Sequence, residues 1–244
     1  MLALLFTLVS SAAAYDHSEW QAVLDKYLSS SATVNYADIQ ASGALNNYVA
    51  GLATATEPSG RAEKMAFWIN AYNAITVDMV SRSWPIGSIQ ELDGGKVWTT
   101  RTFAIAGQTL TLDQMEKQKL VPLGDPRIHL ALNCASLGCP PLSPRAFTGA
   151  KLEDQLNLVT RSWLPGKGVL VQQGAGELML SPIFDWYAQD FPNDGSGAVP
   201  GVEERLRGAL QFIARHLPQS EAAWVRAGGY AIRFSTYSWT INSS

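Results

Sequence analysis

The chain has 244 residues, 47% of them hydrophobic and 16% charged, with a formal net charge of −3. That length and composition suit one globular domain with a sizeable core. The balance of charge, with no cluster of Lys or Arg, leaves no electrostatic footprint for nucleic acid and excludes it as an expected partner.

Residues 1–14, MLALLFTLVSSAAA, run apolar from Leu2 to Val9 and then turn to small residues, with Ala12-Ala13-Ala14 as an A-x-A-like site. A basic n-region is missing, yet the order of apolar run and small-residue zone reads as a signal peptide. About ten apolar residues are too few to span a bilayer. The expectation is therefore a signal over 1–14, a single domain over 15–244, a periplasmic or secreted destination and no stable membrane insertion.

Trp20, Val23, Leu24 and Tyr27 recur at helical spacing and predict a short amphipathic helix over 16–28. Pro58-Ser59-Gly60 introduces the strongest helical pattern, 61–82. Its residues are apolar on almost every side, which predicts a helix buried in the core, ended by Trp84-Pro85. Alternation predicts a strand over 97–105, with a hairpin turn at Ala106-Gly107-Gln108. Thr111 to Gln114 has the form of a capping box opening a helix to Leu120. The apolar run from Ile128 to Leu132 reads as a strand over 127–132. Leu152, Leu156, Val159 and Trp163 mark one face of the next helix, and 168–181 reads as a hairpin around Gly174-Ala175-Gly176. Ser181-Pro182 opens another short helix, and 192–201 reads as a surface loop. A helix to His216 and a strand over 230–241 complete the chain. Strands and helices mix without βαβ alternation, so the fold class expected is α+β, an antiparallel or mixed sheet packed with helices.

The residues that bear chemistry converge on DPRIHLALNCASLGCPPLSPR, 125–145. It contains both cysteines, Cys134 and Cys139, and His129, one of three histidines. A thiolate is the nucleophile in cysteine chemistry and imidazole is the usual base that generates it. His17 follows the presumed cleavage site and His216 ends a helix, so His129 is the imidazole expected to serve a cysteine and to lower its pKa. Arg127 and Arg145 flank the loop and are expected to stabilise the thiolate. Two cysteines five apart also suit a small disulfide loop, which would mask the thiol. A zinc site on Cys134, Cys139 and His129 is a weaker alternative, since C-x4-C with one His lacks a fourth ligand. No cofactor is expected. Asn70 and Asn73 interrupt the buried helix three residues apart and share a face. Such amides serve either structure alone or a site, orienting a base or donating to an oxyanion. Glu116, on the helix after the capping box, has only its position to recommend it.

Five stretches in order, FWINAYNA (67–74), the segment from Ala106-Gly107 through LTLDQMEKQKL, DPRIHLALNCASLGCPPL, LSPIFDWYAQDF (180–191) and YSWTIN (237–242), resemble the family called domain of unknown function 547, DUF547. Members of that family look like distant relatives of papain-like and transglutaminase-like thiol enzymes. The resemblance implies a site of Cys134, His129 and Glu116, with Cys139 matching the family's second cysteine. Its chain order is acid, His, Cys, which implies a permuted papain-like core or an independent assembly. Papain-like nucleophiles also open a long helix, and the four residues between Cys134 and Cys139 leave room for a single turn only.

The function expected is an exported cysteine-dependent hydrolase or acyltransferase that acts on a peptide, protein or small amide or thioester. The alternatives are a binding module built on a Cys134–Cys139 disulfide loop, and a thiol redox sensor with Cys139 as resolving thiol.

Overall fold

The computed structural model describes residues 14–193, 195 and 200–244. The expected signal segment, apart from Ala14, and five positions of the expected 192–201 loop fall outside the described residues.

Helix α1 (Ser18–Tyr27) buries Trp20, Val23, Leu24 and Tyr27, the face its spacing predicts. Two helices come next that the periodicity did not reveal, α2 (Tyr36–Ser42) and α3 (Asn46–Thr54). The first is set by caps: the Asn35 side chain accepts from the Asp38 amide, and Gly43 closes the end at φ 61°. A left-handed glycine there satisfies the last carbonyls without a Cβ clash. Both helices pack on α4 (Arg61–Arg82). Every residue of α4 from Met65 to Ser81 is buried, as its all-round apolar sequence requires.

Beyond α4 the chain is made of short pieces. Val97–Thr100 is a helical turn, α5, where a strand was predicted; the Thr99 and Thr100 hydroxyls bond back to the Lys96 carbonyl at 3.1 and 2.9 Å. Such local side-chain bonds let a short alternating stretch curl. The strand proper is β1 (Thr102–Ile105), antiparallel to β2 (Gln108–Thr111) through Ala106-Gly107. Positive φ at both turn residues, 49° and 71°, matches the twist of a two-residue hairpin. The predicted capping box is present. The Gln114 amide donates to Thr111 Oγ1 and the Thr111 amide to Gln114 Oε1, opening α6 (Leu112–Gln114). The chain then widens into a π-type turn, Met115–Leu120.

The predicted strand over 127–132 is instead one turn of helix, α7 (Ile128–Ala131). Asp125 accounts for the change: its carboxylate accepts from the Arg127 amide and its carbonyl from the Ile128 amide, a turn that Pro126 suits. A four-residue apolar run cannot by its pattern distinguish strand from buried helix. Helix α8 (Leu152–Trp163) leads to β3 (Val169–Gln172) and β4 (Glu177–Leu180), an antiparallel hairpin. After α9 (Ile183–Trp186), α10 (Arg207–His216) and an unforeseen α11 (Gln219–Ala227), strand β5 (Ala231–Phe234) adds parallel to β4. The result is the expected α+β domain, a two-stranded hairpin and a three-stranded mixed sheet packed with helices. The strand predicted over 230–241 ends at Phe234, and the chain beyond it leaves the sheet to pair with the cysteine loop.

Two apolar clusters hold these pieces. One surrounds α4 and takes in residues from Trp20 to Leu156, with Ile241. The other joins Trp163, Phe184, Phe191 and Leu210 to the mixed sheet. Helix α7 belongs to both: Ile128 and Ala131 lie in the first cluster and Leu130 in the second. No described helix is long and apolar enough to cross a membrane.

Candidate active site

His129 is therefore carried on one helical turn wedged between two cores. The loop after it is fastened by buried amides. Asn73 Nδ2 donates to the Ala131 carbonyl at 2.9 Å, and Asn73 Oδ1 accepts from the Asn133 amide at 2.9 Å. Asn133 in turn bonds the Ala135 amide and the Pro140 carbonyl. Asn70 clamps Phe147 in the same two-handed way, at 2.8 and 2.9 Å. Both helix asparagines thus bond backbone through Oδ1 and Nδ2, and these bonds position the loop.

The C-terminal segment closes over this loop. The Leu137 amide donates to the Thr240 carbonyl, the Gly138 amide to the Ser238 carbonyl and the Asn242 amide to the Ala135 carbonyl. Gly138 must be glycine here, because a Cβ would lie 2.8 Å from the Ser238 nitrogen. Ala135, next to Cys134, is held at φ 56°. Such backbone costs energy in a non-glycine residue and tends to occur where the chain is bent for a purpose. The pairing brings Tyr237 Oη to 3.0 Å from Cys134 Sγ and 2.9 Å from Ser136 Oγ.

Cys134, Cys139, His129 and Glu116 line one cavity of about 580 Å³, together with Tyr237, Asp190 and three tryptophans, Trp98, Trp186 and Trp239. The resemblance-derived trio is thus brought into one space. The two cysteines are free thiols and do not form the disulfide loop weighed as an alternative. Their sulfurs lie 2.7 Å apart, beyond the ~2.05 Å of a covalent bridge. Cys139 is buried, accepts from the Cys134 amide at 3.1 Å and reaches the Leu132 carbonyl at 3.5 Å. The two thiols diverge accordingly. The hydrogen bond between Cys134 and Cys139, seconded by Tyr237 and Ser136, holds the Cys134 thiol below its ordinary pKa against the cost of burial, whereas burial pushes Cys139 well up.

The base is arranged differently from the expectation. Among the described residues the hydrogen-bond partners of Cys134 Sγ are Cys139, Ser136 and Tyr237, and the imidazole is not one of them. His129 Nδ1 meets Glu116 Oε1 at 3.1 Å, with Glu116 presented by the π-type turn. Asp190 Oδ2 lies 3.0 Å from Nε2 but off the direction of a ring N–H, so Nε2 has an ion-pair neighbour and no aligned hydrogen bond. Tyr187 stacks on the ring at 4.1 Å. Burial works against a charged ring, but Asp190 and Glu116 outweigh it and raise the His129 pKa.

The flanking arginines are engaged elsewhere. Arg127 forks onto Asp125 and Glu153 and bonds Asn157. Arg145 is exposed and pairs loosely with Asp25 at 3.6 Å. Neither contacts a sulfur among the described hydrogen bonds and ion pairs, so the expectation that they stabilise the thiolate gives way to Cys139 and Tyr237. Among the described residues no three His, Cys, Asp or Glu side chains are grouped to hold a metal ion. Tyr237, Asp190 and Tyr187 were missed as site residues, although they lie within two of the stretches that carry the family resemblance.

Fold and cavity together define an α+β domain with a thiol, an imidazole and a carboxylate on one wall. Residues 56–164 match the family model described as "Protein of unknown function, DUF547", which supports the resemblance to that family over the first three of the five stretches. The matched stretch includes Asn70, Asn73, Glu116, His129 and both cysteines; the stretches bearing Tyr187, Asp190 and Tyr237 lie beyond it. No curated protein and no solved structure matches the chain.

Proposed function

We propose that this protein is a cysteine-dependent hydrolase or acyltransferase acting on an amide or thioester. Cys134 gives its proton to the His129 imidazole and attacks the carbonyl carbon as the thiolate, and the bond to the leaving nitrogen or sulfur breaks as the leaving group takes that proton from His129 Nε2. Water, or an acceptor amine or alcohol, then attacks the thioester, gives its proton to the now neutral imidazole and releases the thiolate. Glu116 holds the ring through Nδ1 and stabilises its charge. Tyr237 Oη, 3.0 Å from the sulfur, donates to the oxyanion, the role weighed from the sequence for Asn70 and Asn73.

The observation that carries this reading is the state of His129 Nε2. It is one of two buried side-chain polar atoms among the described residues without a geometrically aligned hydrogen bond, and its side chain lines the same cavity as Cys134. Asp190 Oδ2 neighbours Nε2 at 3.0 Å without an aligned hydrogen bond, and a substrate leaving group in the cavity would supply an aligned one. Kinship with papain-like or transglutaminase-like enzymes rests on the Cys–His–acid trio alone. Cys134 is followed by a loop, not by their long helix, and the chain order of the trio is reversed.

The reading is tested by incubating the reduced protein with a small acyl thioester and mapping any acyl adduct by mass spectrometry. An adduct on Cys134, lost in Cys134→Ala and slowed in His129→Gln, is the expected result. No adduct, or one on Cys139, would overturn it. A second reading, thiol–disulfide exchange, draws on the 2.7 Å separation of the sulfurs. The two part at Cys139→Ser, which retains measurable acylation on the first reading and abolishes exchange with a substrate disulfide on the second.

A further inference from the structure

The wall of the cavity opposite in character to its reacting groups is aromatic. Trp186 is 43% exposed, unusual for so large a side chain, and stacks on Trp239 at 5.8 Å with the rings 16° apart. Trp239 also meets Trp98 at 5.7 Å and Tyr237, the neighbour of the nucleophile, at 4.6 Å. A continuous array of rings therefore runs from the exposed Trp186 to the hydroxyl beside Cys134. An exposed apolar surface of this kind, continuous with a reacting thiol, marks where a ligand is seated.

The charges of the same cavity narrow its chemistry. Lys117 is bonded to Asp113 at 2.7 Å, and His129 lies between Glu116 and Asp190 at 3.1 and 3.0 Å. Both basic groups in the cavity wall are thereby paired to acids of the same wall. Among the described lining residues a substrate carboxylate or phosphate would find no unpaired cation, and it would face three carboxylates. A substrate cation would have to compete with Lys117 and His129 for carboxylates already engaged. Paired charges and open aromatic surface leave apolar burial as the source of binding energy.

We propose, building on the acyl-transfer reading, that the site selects an uncharged acyl group with an apolar body. That body lies against Trp186 and Trp239 and delivers its carbonyl to Cys134. The cavity of about 580 Å³ accommodates a medium-length chain or a single aryl ring with the thioester.

The test uses the full chain carrying Cys134→Ala, so that no turnover consumes the ligand. N-acetylcysteamine thioesters of five acids are titrated calorimetrically: acetyl, hexanoyl, phenylacetyl, succinyl and β-alanyl. Hexanoyl and phenylacetyl should bind at least about tenfold more tightly than acetyl, as added apolar area predicts, and the two charged groups no more tightly than acetyl. Trp186→Ala on the same background should shrink the gap between phenylacetyl and acetyl several-fold. Equal affinities, or a preference for succinyl or β-alanyl, would overturn the proposal. The kcat/KM series on wild-type protein reports the same ranking should Cys134→Ala not fold. A graded affinity series without any acyl adduct on wild type removes the acyl-transfer reading and leaves the ligand class standing. Adducts formed with no preference remove the ligand class alone.

Discussion

The two cores are built by different means. The first wraps three helices around α4, a helix buried on all sides that the sequence announces by its length and apolar content. The second gathers short pieces, α9, the mixed sheet, α10 and α11, none of which buries a face alone. The reacting groups belong to neither. His129 stands on the one helical turn that both cores grip, and Cys134 lies in a loop fastened from the first core by Asn73 and from the C-terminal segment by Asn242. A site placed at such a junction depends on both cores keeping their register, which is how rigid elements hold chemistry carried on loops.

Removing the largest side chain from each core should have the greatest effect. Trp68, fully buried with its indole N–H on Glu57, and Trp163, 2% exposed, should each cost about 3–5 kcal/mol on replacement by alanine. Urea transitions followed by fluorescence and by circular dichroism should coincide in both variants. A second core that melts separately would break the picture of a shared site. Next in size, Leu130→Ala should cost roughly 2–4 kcal/mol and slow Cys134 acylation as well, since it loosens the turn carrying His129. A loss of stability with undiminished acylation would detach α7 from the site.

The histidines give opposite pH signatures. His17, in the first core and bonded to Tyr48 at 2.6 Å, has its pKa pushed down by burial to about 4. The unfolded chain takes up a proton near pH 6.5 that the folded chain refuses, so stability present above that pH is lost as pH falls toward 4, by up to roughly 3 kcal/mol. His17→Phe should flatten that slope in denaturation midpoints measured across pH 4–7. His129 has a raised pKa, so its contribution is complete below the unfolded value near pH 6.5 and fades as pH rises through the folded one. Smaller again, Gly138→Ala should cost roughly 1–2 kcal/mol by pushing the Ser238 backbone away, and should weaken the Tyr237 contact with Cys134. An unchanged thiol reactivity in that variant would argue against the Tyr237 role.

Legibility in the sequence divides along the same line. Helices α1, α4 and α8, the two hairpins and the capping box at Thr111 each carry a local signal, a period, a turn or a cap. The turn at α7 was misread because a four-residue apolar run has no period to read, and a single Asp–Pro corner decides it. Helices α2, α3 and α11 left too weak a pattern. The trio Cys134, His129 and Glu116 came from motif resemblance, not from spacing, and the cavity gathers all three. Asp190 and Tyr237, 61 and 108 positions from His129, reach the site only through folding of the second core and the C-terminal segment. No local rule could pair them with it.

A Cys134 thiol with a lowered pKa, bonded to Cys139 and Tyr237, underlies both the chemistry and the ligand class proposed for the cavity. The pH dependence of iodoacetamide labelling of the reduced protein, read residue by residue by mass spectrometry, tests it most directly. Cys134 should be labelled before Cys139, with a midpoint below the ordinary thiol value of about 8.5. Tyr237→Phe should raise that midpoint, and His129→Gln should raise it less, since the imidazole is not bonded to the sulfur. Preferential labelling of Cys139, or a midpoint at the ordinary value in all three proteins, would contradict it.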